Sequence, residues 1–241
     1  MLIFLSVQTT GLEESAKICS VGLIINRNQN TFTTKYELIN EGRKIPSNAS
    51  SVHNITSEMI QNKSSFFSSE IYNILEECND KKNTLIMHNA KFDLEILQAH
   101  DFFWKGKVID TLRTTKHLIP ECEFFSLNYL RYELQLYKTE TTIKKTLGID
   151  DAIISHNRLS DNILIFMLFN YLKDYTDEDA MIELSVKNVL IQQFKFGKYA
   201  NQYIEDIALT DRGYLYWLLE NVTDLHEDLR YSIEYFLGEN K

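Results

Sequence analysis

The stretch TLIMHNAKFDLEILQAHDFFWKGKVID, residues 84–110, decides the architecture. TLIMH and KVID are short apolar runs of strand character, and AKFDLEILQAH between them reads as a helix. A strand, a helix and a second strand in that order imply parallel strands joined by a crossover helix. Upstream, MLIFLSVQ suits a buried strand that ends in a turn at Gly11, and KICSVGLIIN is a second such run. TFTTKYELI is a third, with Phe32, Thr34, Tyr36 and Leu38 on one face by period-two alternation. RNQN, residues 27–30, is suited to a hairpin turn between the last two. SSEIYNILEEC reads as a helix through Ile71, Ile74, Leu75 and Cys78, and SLNYLRYEL and SDNILIFMLFNYL are further helices. The last is apolar nearly all round and therefore buried.

Three antiparallel strands followed by α/β units describe an α/β fold: a mixed sheet with helices on its faces. The acidic stretch KDYTDEDAM, residues 173–181, marks a change in composition. The expected organisation is a domain over 1–173, a linker over 174–191 and a small α-rich C-terminal module over 192–241, with Trp217, Tyr214, Leu218 and Leu219 in its core.

A chain of 241 residues that is 44% hydrophobic is large enough to bury a real core. Its net charge of −9 argues against a protein that coats nucleic acid, but not against an enzyme that meets a few phosphates through metal ions. Cys19, Cys78 and Cys122 are odd in number and widely spaced, which favours buried thiols in a reducing compartment over disulfides or zinc. MLIFL is too short for a signal peptide, and no apolar run approaches membrane-spanning length, so a cytoplasmic location with no membrane partner is expected.

Four pieces carry the chemistry: SVQTTGL at the end of the first strand, SVHNIT at 51–56, HNAKFD at 88–93 and HNRLSD at 156–161. In that order they resemble the DEDDh, or DnaQ-like, 3′–5′ exonuclease family, whose pattern is D-x-E-T-T-G, V-H-G-I-T, H-N-A-x-F-D and H-x-x-x-x-D. VIDTLR with FFSLNYLRYEL is similar to a further stretch of that family. The C-terminal FGKY and YLYWLL resemble a module that follows some of these domains, exodeoxyribonuclease-X-like proteins included; the family's basic K-G-K stands here as Ala200, Asn201 and Gln202. The resemblance implies a ribonuclease-H-like fold.

It also implies a site. Phosphodiester cleavage needs an activated water and stabilised charge, which two Mg²⁺ ions about 3.5–4 Å apart supply. Such ions prefer anionic oxygens, and a histidine near neutral pKa can take the water's proton. By resemblance, position 6 bridges both ions, position 8 and Asp161 hold the first, Asp93 supports the second and His156 is the general base. Residue 156 is five ahead of Asp161 and off its helical face, so His156 belongs on the preceding turn. Thr9, Thr10, Leu12, Asn89 and Phe92 fall at the substrate by the same resemblance. The residues alone leave Asn89 open between a helix cap and the substrate and favour Phe92 as core; His53 and His88 read as structural.

Positions 6 and 8 carry Ser6 and Gln8, where the pattern has Asp and Glu. Two formal negative charges are thereby removed, leaving Asp93 and Asp161. The expectation is an exonuclease-family protein acting on the 3′ end of DNA, in preference to RNA, with Mg²⁺ or Mn²⁺ weakly held and catalysis impaired. A replication or repair protein is the expected further partner. The alternative is a non-catalytic module that binds nucleic acid or protein on the same fold.

Overall fold

The computed structural model of the chain describes residues 1–28, 31–149 and 159–239. Two compact units emerge, Met1–Ser185 and Val186–Lys241. In the first, β1 (Leu2–Thr9), β2 (Ile18–Asn28), β3 (Thr31–Leu38), β4 (Thr84–Met87) and β5 (Lys107–Asp110) form one sheet in the order β3-β2-β1-β4-β5. β1–β2 and β2–β3 pair antiparallel, whereas β1–β4 and β4–β5 pair parallel. The mixed α/β sheet expected from residues 84–110 is therefore present. Gln29 and Asn30, half of the expected hairpin turn, lie outside the described residues.

Successive side chains of a strand point to opposite faces, and β1 divides its residues accordingly. Ile3, Leu5 and Val7 enter one core with Ile71 and Leu75 of a helix at Glu70–Cys78, and with Ile96 and Leu97 of another at Ala90–Gln98. Phe4 enters the opposite core, built mainly on a helix at Ser160–Leu172. Ser6 and Gln8 share the face of Phe4, so strand alternation alone aims them at that helix.

The described helices of the first unit are α1 (Ser47–His53), α2 (Ser57–Ile60), α3 (Glu70–Cys78), α4 (Ala90–Gln98), α5 (Thr111–Leu118), α6 (Leu127–Glu133), α7 (Glu140–Thr146), α8 (Ser160–Leu172) and α9 (Glu178–Val186). Their starts follow local chemistry: Ser69 and Ser126 accept from the backbone N–H groups of Tyr72 and Tyr129. α8 is buried from Asn162 to Phe169, as an all-apolar helix must be. Stretch 174–191, expected as a linker, contains α9, whose Met181 is fully buried in the same core as α8. Its acidic composition reflects only the solvent side of a docked helix. The three cysteines are buried and form no disulfide with one another.

The second unit consists of α10 (Ile204–Thr210), α11 (Arg212–Asn221) and α12 (Glu227–Leu237) around Phe194, Ile207, Leu215, Leu218 and Ile233. Buried Asp228 and Ser232 of α12 accept from the backbone N–H groups of Val189 and Ile191, fixing the entering chain. Trp217 corrects an expectation: it is 53% exposed, stacked on Tyr214, and not part of the core that Leu218 joins. The helix turns Leu218 inward, which leaves its neighbour outward.

Candidate functional site

β1 and the first turn of α8 meet through two side-chain pairs. Gln8 Nε2 donates to Asp161 Oδ2 at 2.7 Å, and Ser6 Oγ donates to Asn162 Oδ1 at 2.7 Å. Both pairs join residues more than 150 positions apart, so they are products of the fold. Asn162 is fully buried and spends its amide group on the backbone, donating to Phe4 O at 3.1 Å and Gly22 O at 2.7 Å. Gly22, paired opposite Ser6 on β2, makes room for this: a Cβ there would lie 2.3 Å from Asn162 Oδ1.

Asp93 approaches from α4. It is buried, and burial, then the charges of Asp110 and Asp161, push its carboxyl well above the usual carboxylate range. Among the described residues no hydrogen-bond donor offsets this. The structure thus pairs Gln8 with Asp161 and Ser6 with the adjacent Asn162, with Asp93 within electrostatic reach of Asp161. His156 lies outside the described residues. Among the described residues, no three His, Cys, Asp or Glu side chains converge closely enough to hold a metal ion.

Asp110 ends β5 and holds the surrounding loops. Its carboxylate accepts from Asn89 N and Ala90 N at 3.0 Å each, and from Leu112 N at 2.9 Å and Arg113 N at 3.4 Å. One buried acid therefore caps α5 and ties down the start of α4, three residues before Asp93. Ser185 of α9 supports it by accepting from Asp110 N at 2.7 Å. Asn89 itself adopts the left-handed conformation, φ 70°, and its side chain makes no cap bond. Its capping role is thus replaced by a backbone one, since Asn tolerates that conformation better than other non-glycine residues.

His53 and His88 hold backbone and loops in place. His88 bridges Thr111 Oγ1 at 3.0 Å and Phe125 O at 2.7 Å; burial holds its pKa below the ordinary value, against the Phe125 carbonyl and the Asp110 charge. His53 Nδ1 accepts from Ile55 N, so Nε2 carries the proton that reaches Thr9 O at 3.2 Å. α1 thereby fixes the end of β1. Thr9 Oγ1 donates to Gly11 O at 2.5 Å, and buried Thr10 is closed onto the backbone of Lys17 at 2.8 and 3.0 Å. Leu12, by contrast, is 85% exposed, and Phe92 is half-buried against the α3–α4 core.

Sequence reasoning missed Asn162 and the double role of Asp110. A lone amide opening the run ILIFMLF was the available signal, because a buried polar group needs partners.

Comparison with known proteins gives the class: the chain is of the exonuclease type. A family profile described as Exonuclease matches residues 7–157, well over half of the chain, and the chain belongs to that family. A second profile, described as Exodeoxyribonuclease X-like C-terminal, matches residues 194–223. Exodeoxyribonuclease 10 of Escherichia coli (strain K12) is 25% identical over 247 residues, spanning 98% of this chain and 99% of that protein. DNA polymerase III subunit epsilon of Buchnera aphidicola subsp. Schizaphis graminum is 30% identical over 140 residues, 49% of this chain and 57% of the relative. A solved structure described as Exonuclease X in complex with 5′ overhanging duplex DNA superposes with a TM-score of 0.58 at 19% identity, covering 77% of this chain and 99% of that one. This last likeness concerns the fold.

Proposed function

We propose that this chain engages the 3′ end of DNA on an exonuclease fold, and that its metal-dependent hydrolysis is strongly impaired. The observation that carries the reading is the Gln8–Asp161 hydrogen bond. A carboxylate that would hold a cation is instead satisfied by an amide N–H, and an amide is the wrong group to neutralise an ion. Ser6 likewise directs its proton into Asn162. The residues do not fit a two-ion centre: Asp93 and Asp161 supply half the anionic charge that two divalent ions attract. A single Mg²⁺ or Mn²⁺, weakly held by these two acids, is the most the donor set supports.

DNA as substrate class is supported by the similarity along nearly the whole chain to an exodeoxyribonuclease. The similarity to polymerase III epsilon subunits supports replication or repair as the setting. Three buried thiols suit a reducing, cytoplasmic compartment, and no helix among the described residues is long and apolar enough to cross a membrane. Hydrogen bonds already made by Ser6, Gln8 and Asp161 among themselves and with Asn162 argue against metal-dependent turnover.

The test uses end-labelled single-stranded DNA with the full chain in Mg²⁺ and then Mn²⁺. Binding without digestion is expected, with cleavage down on the order of a thousandfold or more against an intact relative. Metal-dependent digestion at a relative's rate overturns the impairment. Absence of any DNA binding overturns the substrate class.

A further inference from the structure

Asn162 has no freedom to turn. Its two N–H bonds are committed to Phe4 O and Gly22 O, which are carbonyls and can only accept. A flipped amide would set its oxygen against both. The orientation is therefore dictated by the sheet, and Oδ1 is the atom that must face residue 6. A hydroxyl at position 6 satisfies that oxygen; a carboxylate cannot, because it has no proton to give near neutral pH. Sterics point the same way. In the rotamer of Ser6, the Cγ of an aspartate would occupy the place of Oγ, 2.7 Å from Asn162 Oδ1, well inside non-bonded contact distance. Asn162 is fully buried, with Gly22 beside Oδ1, so an acid at half-buried position 6 that turns away from it leaves that oxygen without its donor.

We propose that Asn162 is a positioning residue that locks the end of β1 in its hydroxyl form, so that acids restored at positions 6 and 8 alone do not rebuild a cation site. Recovery requires removal of the Asn162 amide as well. The proposal rests on the reading of this pocket as a former cation site, and adds that the loss is held in place by a third residue.

Mn²⁺ binding to the full chain, measured by calorimetry, decides it. The set is the parent, Ser6→Asp with Gln8→Glu, and that pair with Asn162→Ala. The pair is expected to stay within about threefold of the parent, and the triple variant to bind at least tenfold more tightly than the pair. If the pair alone binds as tightly as the triple variant, Asn162 is no barrier, while the reading of the pocket stands. If no variant binds above the parent, the lock and the reading of the pocket as a cation site both fail. Thermal melting gives a metal-free arm: Ser6→Asp should lower the melting temperature, and Asn162→Ala in the same chain should recover part of the loss. An additive decrease would overturn the lock. Should the triple variant fold poorly, adding Gly22→Ala places a methyl in the vacated space, and the same ordering of Mn²⁺ affinities is expected.

Discussion

Replacing Asp110 by alanine removes an acceptor shared by two helix starts, and the cost can be worked from its four bonds. Loss of the α5 cap, through Leu112 N and Arg113 N, costs about 1 kcal/mol. The Ala90 amide is buried and would be left without a partner, which adds about 1–3 kcal/mol. Asn89 is exposed, so its N–H can turn to water at little expense. Asp110→Ala should therefore destabilise the chain by about 2–4 kcal/mol. Asp110→Asn keeps one carbonyl oxygen for Asn89 and α5 but sets an amide N–H against that of Ala90. Its cost should be about 1–3 kcal/mol, the Ala90 loss alone. Urea unfolding followed by circular dichroism measures both, and amide exchange at Ala90 and Leu112 locates the damage. The reasoning is refuted if the alanine variant costs less than about 0.5 kcal/mol, or stabilises the chain by relieving repulsion with Asp93.

Three further outcomes are expected. Gly22→Ala should cost about 1–3 kcal/mol by overpacking against Asn162, and most of that should vanish in an Asn162→Ala background; equal cost in both would show that the contact is unimportant. For His88, the folded pKa lies below the ordinary 6.5, so the unfolded chain takes the proton first as pH falls. Its contribution is present above about pH 6.5 and is lost below it, with a slope of at most about 1.4 kcal/mol per pH unit; a His88→Asn variant should show a shallower stability profile there. Leu12→Ala should leave stability within about 0.5 kcal/mol, because the side chain is exposed, yet weaken binding to a DNA 3′ end about tenfold in a gel-shift or anisotropy assay. Unchanged affinity would remove Leu12 from the substrate.

The α/β architecture was legible because it is written in local periodicity. The apolar run of β1, the alternation in β3, the apolar spacing of α3 and the unbroken apolar run of α8 each follow from neighbours within a few residues. Motif order singled out positions 6, 8, 93 and 161 as candidates, and the fold brings 8 to 161. What could not be read was the pairing. Nothing near residue 8 in the chain says that its amide will meet Asp161, and nothing near 110 says that its carboxylate will reach back to Asn89. The acidic stretch at 173–181 misled for the opposite reason: composition records the wet face of a helix, while one buried Met181 decides that it docks. Trp217 shows the same limit, since size and apolarity alone do not tell which side of a helix faces inward.

Phe4 lies two residues from Ser6, edge-on between Phe166 and Phe169 at 5.1 and 5.4 Å, while its carbonyl receives the Asn162 amide. The spacing between strand and helix is thus set by edge-packed aromatic rings beside the Ser6–Asn162 pair, and the polar groups there inherit their stiffness. A ring swapped for a smaller side chain at 166 would let the helix settle toward the strand and shorten or skew contacts that it never touches. Tuning of this pocket is therefore open to substitutions far from any polar atom, and a search for variants that loosen it should begin in the oil, not at the water's edge.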